Sequence, residues 1–157
     1  MKVLMVCLGN ICRSPSAEAV FKRIVDDNHF MDSFEIDSAG TSGYHSGEPA
    51  DTRMQLHASK RGIRLTSISR KFNSPYDFDH FDLIVAMDND NLYNLKQLAR
   101  HKKDLVKICL MTDFASSTQY TEVPDPYYGG AKGFETVLDI LEDAGNGLLK
   151  HLINTPA

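Results

Sequence analysis

The chain of 157 residues has no tryptophan, only three cysteines and only six prolines. Three cysteines (Cys7, Cys12, Cys109) are too few for a disulfide scaffold, and their odd number points to a reducing, cytoplasmic compartment. No stretch approaches the ~18 consecutive apolar residues of a membrane span, so no membrane partner is expected. Positive charge is in deficit, with 17 Lys plus Arg against 21 Asp plus Glu and a net charge of −4. That balance argues against nucleic acid or an anionic membrane surface, both of which favour clustered positive charge. The six histidines (29, 45, 57, 80, 101 and 151) never pair at ligand spacing, so no metal is implied, and no cofactor is expected. The apolar start reaches Gly9-Asn10 too soon for a signal peptide, and no small-residue cleavage site follows. Repeats, low-complexity segments and linkers are all missing. Residues 1–157 therefore read as a single domain, expected as a monomer and long enough to bury a core without staples.

What is present is a regular alternation. Val3-Leu4-Met5-Val6 is a short unbroken apolar run, the mark of a strand buried on both faces. Ala17, Val20, Phe21, Ile24 and Val25 then fall at helical spacing and predict a helix over 14–28, with Pro15 tolerated in its first turn. Phe34 to Ser38 is a second strand, and Pro49 and Asp51 open a helix running to Arg61 and stopping at Gly62. Leu83 to Met87 is a third run, followed by a helix carrying Leu92, Leu95 and Leu98, and Val106 to Met111 is a fourth. A polar loop from about Ala115 to Gly130 leads into a last helix with Phe134, Val137, Leu138, Leu141, Leu148, Leu149 and Leu152 on one side. Four apolar runs alternating with four amphipathic helices make an α/β chain. Right-handed crossovers then give a four-stranded parallel sheet with helices on both faces, a flavodoxin-like three-layer sandwich. Such sheets bind ligands beyond the carboxyl ends of their strands, which directs attention to the loop after the first strand.

That loop reads Cys7-Leu8-Gly9-Asn10-Ile11-Cys12-Arg13-Ser14. It can curl so that successive backbone N–H groups form an anion nest at a helix N-terminus. Gly9, and Asn10 in a left-handed conformation, permit the curl. Arg13 supplies a planar fork for two phosphate oxygens, a geometry lysine cannot imitate. Cys7 would sit beneath the phosphorus, where the same donors favour thiolate over thiol, and Ser14 could donate a hydrogen bond to the sulfur. The bland alternative makes Cys7 a buried hydrophobe and Arg13 a solvated residue, yet an arginine at a helix N-terminus opposes the dipole unless an anion offsets it. A nucleotide P-loop would need a Gly-Lys-Ser/Thr ending that is missing here.

A cysteinyl-phosphate route needs one further group to protonate the leaving oxygen and later to deprotonate water. Asp125-Pro126-Tyr127-Tyr128-Gly129-Gly130 lies beyond the fourth strand, hence at the same edge of a parallel sheet as Cys7. Pro124 and Pro126 hold Asp125 in an extended segment, and Tyr127 and Tyr128 offer flat walls for an aromatic leaving group. A plain surface turn is the alternative, since Asp-Pro and Gly-Gly are common loop punctuation.

Val6-Cys7-Leu8-Gly9-Asn10-Ile11-Cys12-Arg13-Ser14-Pro15 followed by Ala17-Glu18-Ala19 resembles the phosphate loop of the low-molecular-weight protein tyrosine phosphatases. Asp125-Pro126-Tyr127-Tyr128 resembles that family's general-acid motif. Asp37-Ser38-Ala39-Gly40, Arg61-Gly62-Ile63 and Met87-Asp88 with Asn91-Leu92 are similar to its other signatures, in the same order. The resemblance covers nearly the whole chain. It implies metal-free hydrolysis of phosphotyrosine in proteins, with Cys7 as nucleophile, Arg13 as phosphate clamp and Asp125 as acid and then base. It also implies that Asn10, Ser14 and Ser38 form the hydrogen-bond network holding the loop. One departure is Ser67, where several relatives carry a histidine.

Ile11 is expected at the pocket mouth, where relatives acting on phosphoarginine tend to carry threonine. With Tyr44, Tyr127 and Tyr128 it suits a phenyl ring, although Tyr44 could equally be a local packing residue. Cys12 is either a reversible disulfide partner that shields Cys7 from over-oxidation or a residue that packs. Cys109, on a core strand, is expected to be inert. Two other function classes remain: a thiol-redox enzyme resembling arsenate reductases, and a non-catalytic phosphate-binding module. The tyrosine pair leaves weak self-association open.

Overall fold

The computed structural model describes residues 1–127 and 130–155. Four strands, β1 (Lys2–Cys7), β2 (Glu35–Gly40), β3 (Leu83–Ala86) and β4 (Ile108–Leu110), form one parallel sheet in the order β2-β1-β3-β4. Helix α1 (Arg13–Asp27) crosses from β1 to β2, and α2 (Thr52–Ser59) and α3 (Tyr76–His80) lie between β2 and β3. Helices α4 (Asn89–Leu98) and α5 (Lys102–Leu105) lead to β4, and α6 (Gly130–Asn154) ends the order. The chain leaves β1 for a neighbour on one side and later adds β3 on the other. The strand order therefore reverses at the carboxyl end of β1, where Cys7 sits.

The unbroken apolar run of β1 follows from burial on both faces. Its residues divide by the two-residue period of a strand. Val3, Met5 and Cys7 enter a core with Phe21 of α1, Met54 of α2, and Phe134 and Leu138 of α6. Leu4 and Val6 enter a second core with Phe72, Phe78 of α3 and Leu95 of α4. The expected stripe of α1 is buried in full: Ala17, Val20, Phe21, Ile24 and Val25. The α6 stripe is buried from Phe134 to Leu149.

Among the described residues six α-helices stand where periodicity predicts four, because α3 and α5 span five and four residues, too short to show a helical repeat. Helix α2 is shorter than expected: Asp51 is its N-cap, it ends at Ser59, and Gly62 turns the chain with φ +74°. The apolar run from Val106 to Met111 yields a strand only at Ile108–Leu110. Val106 caps the end of α5 and stands exposed, and Met111 begins a 3-10 turn, Met111–Phe114. Helix α1 begins and ends one residue earlier than its apolar spacing suggests, with Asn28 as its C-cap.

Candidate active site

The segment from Cys7 to Arg13 links the end of β1 to the start of α1, and its curl rests on Asn10, whose φ of +55° is left-handed. Asparagine tolerates that region because its side chain bonds locally. Here Nδ2 donates to Ser14 Oγ at 2.8 Å and Oδ1 accepts from the Arg70 N–H at 3.0 Å. Gly9 contributes space instead: a Cβ there would stand 3.1 Å from the His45 ring. Helix α1 has no side-chain N-cap and no acid in its first turn. Among the described residues nothing accepts from the N–H groups of Gly9, Ile11, Cys12 or Arg13. A helix N-terminus with such orphan donors can hold an anion.

The Cys7 sulfur is buried, accepts from the Asn10 N–H at 3.2 Å and lies 3.0 Å from Ser14 Oγ. Because Asn10 already donates into that oxygen, the single Ser14 proton is available to the sulfur, with the Ala39 carbonyl at 3.4 Å as the longer alternative. Both donors stabilise negative charge on sulfur.

Arg13 is 4% exposed. Its Nη1 donates to Asp88 Oδ2 at 2.6 Å and to the Val123 carbonyl at 3.1 Å. Nothing among the described residues accepts from Nε or Nη2, so this second edge of the guanidinium is the fork left for an anion. Burial alone would lower the Arg13 guanidinium, but Cys7 and the hydrogen-bonded Asp88 more than offset it and hold it above its ordinary value. Asp88 is itself fixed as the N-cap of α4, accepting from the Asn91 N–H at 2.7 Å.

Val123 also brings in the acid segment. Its N–H donates to the Met87 carbonyl at 2.8 Å, which ties the chain two residues before Asp125 to the end of β3. Asp125 is exposed, and its Oδ1 accepts from the Tyr127 N–H at 3.0 Å. Cys7, Leu8, Gly9, Ile11, Cys12, Arg13, Tyr44, Asp125 and Tyr127 line one cavity of ≈ 380 Å³, together with Ser42 and His45. Tyr44 is 86% exposed at the rim and packs edge-on to His45. The expectation for Tyr128 falls outside the described residues. A second cavity of ≈ 380 Å³, between residues 115–120 and α6, includes Ser116, Thr136 and Asp143 but no cation and no cysteine. Chemistry rather than size separates the two.

Ser38 does not join the loop network. Its hydroxyl donates to Glu18 Oε1 at 2.6 Å, which binds β2 to α1. Among the described residues the Ser67 side chain makes no hydrogen bond, and the loop is instead held by Ser69 Oγ, which donates to the Gly9 carbonyl at 2.9 Å, and by the Arg70 backbone. Sequence reasoning missed Ser69, Arg70, Ser42 and His45, and it placed Asp88 in a motif without giving it the role of Arg13's partner. All three cysteines are free thiols. Burial pushes the Cys12 thiol well up, with Cys7 adding to it, while burial pushes that of Cys109 up to about 12. Among the described residues no three His, Cys, Asp or Glu side chains are grouped to hold a metal, and no helix is long and apolar enough to cross a membrane.

The family model described as low molecular weight phosphotyrosine protein phosphatase matches residues 2–156. A low molecular weight protein-tyrosine-phosphatase of Streptomyces coelicolor is 43% identical over 150 residues, covering 94% of this chain and 91% of the relative. A crystal structure of a protein tyrosine phosphatase from Entamoeba histolytica is 51% identical, with a TM-score of 0.94 over 98% of this chain and 97% of that one. The Drosophila arginine phosphatase structure superimposes with a TM-score of 0.91 at 31% identity, over 99% of this chain and 100% of that one.

Proposed function

Because the chain belongs to the low molecular weight phosphotyrosine protein phosphatase family, we propose that it hydrolyses phosphotyrosine in proteins through a cysteinyl-phosphate on Cys7, without a metal. The observation that carries this reading is one cavity lined by a buried sulfur, the free edge of a buried guanidinium and a carboxyl group. The phosphate oxygens lie on the Arg13 Nε–Nη2 edge and the orphan loop N–H groups, which carry the charge that a metal would otherwise carry. The Cys7 thiolate attacks phosphorus, the aryl C–O–P linkage breaks at the P–O bond, and protonated Asp125 gives its proton to the departing oxygen. The resulting carboxylate then takes a proton from water as that water attacks phosphorus. The S–P bond breaks, phosphate leaves, and the Ser14 hydroxyl receives the returning charge on sulfur. Residues 1–157 act as the single phosphatase domain. The need for a reduced Cys7 suits a cytoplasmic setting.

Ile11, Leu8, Tyr44 and Tyr127 give the mouth an apolar, aromatic lining that suits a phenyl ring over a guanidinium. A thiol-redox reading finds no support at Cys109, whose thiol faces the Ile84 carbonyl within the sheet. The test compares kcat/KM on phenyl phosphate and nitrophenyl phosphate without metal or reductant. Cys7→Ser abolishes turnover on both while inorganic phosphate still binds. Asp125→Ala lowers kcat/KM on phenyl phosphate by about 100-fold, and far less on nitrophenyl phosphate, whose leaving group scarcely needs protonation. Turnover by Cys7→Ser, or equal losses on both substrates in Asp125→Ala, overturns the respective role. A peptide panel with phosphotyrosine, phosphoserine and phosphoarginine checks the substrate class.

A further inference from the structure

Arg53 touches neither phosphorus nor sulfur in this mechanism, yet it joins the two segments that carry the chemistry. It is the second residue of α2 and is half exposed. Its Nη2 donates to Asp51 Oδ2 at 3.0 Å and its Nε to Asp51 Oδ1 at 3.3 Å. The guanidinium carbon lies 5.2 Å from the centre of the Tyr127 ring and 5.0 Å from that of Phe134. Nη1 also reaches the Tyr127 carbonyl at 3.5 Å. The connections continue on both sides. The Asp51 N–H donates to the Ile11 carbonyl, inside the phosphate loop, at 2.7 Å. The Tyr127 N–H donates to Asp125 Oδ1 at 3.0 Å, and Phe134 is a buried residue of α6.

We propose that Arg53 is a positioning residue that sets the Asp125 segment against the Cys7 loop, acting as a strap from Asp51 to Tyr127. The proposal rests on the phosphatase reading above. A guanidinium suits the task because one planar group offers a fork to a carboxylate while its face lies against aromatic rings. An ammonium would do only one of these at a time. An ion pair whose guanidinium is half exposed adds little to stability, so the strap acts through geometry: misplacing a reacting group by about 1 Å can cost about 100-fold in rate. The effect belongs to the step in which Asp125 donates its proton, and so depends on the leaving group.

The test uses the full chain and measures kcat/KM on phenyl phosphate and nitrophenyl phosphate, the inhibition constant of inorganic phosphate and the thermal midpoint. Arg53→Ala is expected to lower kcat/KM on phenyl phosphate by about tenfold, and on nitrophenyl phosphate by less than about twofold. The inhibition constant and the midpoint stay close to wild type. Arg53→Lys shows most of the same loss, because charge alone does not restore the strap. In an Asp125→Ala background, Arg53→Ala adds no further leaving-group-dependent loss. Equal losses on both substrates, weakened phosphate inhibition, full rescue by lysine or no loss at all overturns the proposal. If Asp125→Ala itself lacks leaving-group dependence, the acid assignment fails, and with it the strap. If that dependence holds while Arg53→Ala is inert, only the strap fails.

Discussion

At Arg13 the guanidinium is divided between two tasks. Nη1 is committed to Asp88 and Val123, at 2.6 and 3.1 Å, while Nε and Nη2 have no acceptor among the described residues and Arg13 lines the cavity. Arg13→Lys keeps the charge and loses that division: an ammonium that stays with Asp88 cannot also grip two phosphate oxygens. We expect kcat/KM on aryl phosphates to fall by about 100- to 1,000-fold, the range for removing one preorganised donor from a developing charge. Inhibition by inorganic phosphate should weaken in parallel. A loss of about tenfold or less in steady-state kinetics would mean that the loop N–H groups do most of the holding. That Cys7, Arg13 and Asp125 would share one cavity was legible in the sequence, because loops after the strands of a parallel sheet meet at one edge. The left-handed Asn10 was legible too. Ser69 and Arg70 were not, nor was the pairing of Asp88 with Arg13, since spacing in sequence says nothing about proximity between segments so far apart. Ser38 shows the opposite error: its place in a familiar motif suggested the loop, whereas its hydroxyl bonds Glu18.

Helix α2 illustrates how a local cap serves both stability and the site. The Asp51 side chain accepts from the Arg53 and Met54 N–H groups at 2.9 and 3.2 Å, satisfying two orphan donors of the first turn. Burial alone would raise this carboxyl; the Arg53 guanidinium and the Met54 and Arg53 N–H groups outweigh it and hold the carboxyl below the usual range. A carboxyl depressed on folding adds stability that is complete above its unfolded value and is lost as pH falls through the folded one. Asp51→Ala should therefore cost about 1 kcal/mol in urea unfolding at pH of about 7, a gap that narrows at pH of about 2 to 3. Asp51→Asn keeps the cap at both pH values but loses the ionic hold on Arg53. A gap that widens on acidification would remove the carboxylate from the account. The start of this helix was readable from Pro49 and Asp51. Its end, and helices α3 and α5, were not, because a single turn leaves no 3.6-residue pattern and tertiary contacts alone decide where it stops.

Across the whole molecule, the sheet presents Cys7, Asp88 and the acid segment at one edge, and α6 closes the core beneath them. The alternation of apolar runs and amphipathic helices was enough to predict this layering, because burial on both sheet faces writes itself into β1, α1 and α6. It could not predict where α6 seats against the rest, which depends on two glycines. A Cβ at Gly145 would stand 2.7 Å from Ile24 Cδ1, the far end of a flexible side chain that can rotate away. A Cβ at Gly147 would stand 1.8 Å from the Phe114 carbonyl oxygen and 2.9 Å from its carbon, both backbone atoms of the turn that follows β4. Replacing a glycine in a helix interior by alanine gains about 1 kcal/mol of propensity, so the clash decides the sign. For Gly145→Ala the two effects nearly cancel, and the thermal midpoint should move little. For Gly147→Ala the turn or the helix must shift; with overpacking costing about 1–3 kcal/mol or more, we expect a net loss of about 2 kcal/mol and a midpoint lower by about 4–8 °C. That turn and α6 flank the segment carrying Asp125, so the shift should also lower kcat/KM on phenyl phosphate more than on nitrophenyl phosphate. If Gly147→Ala melts at or above the wild-type temperature, α6 does not seat on Phe114 as the backbone contact requires, and the acid segment must take its position from Val123 and Arg53 alone.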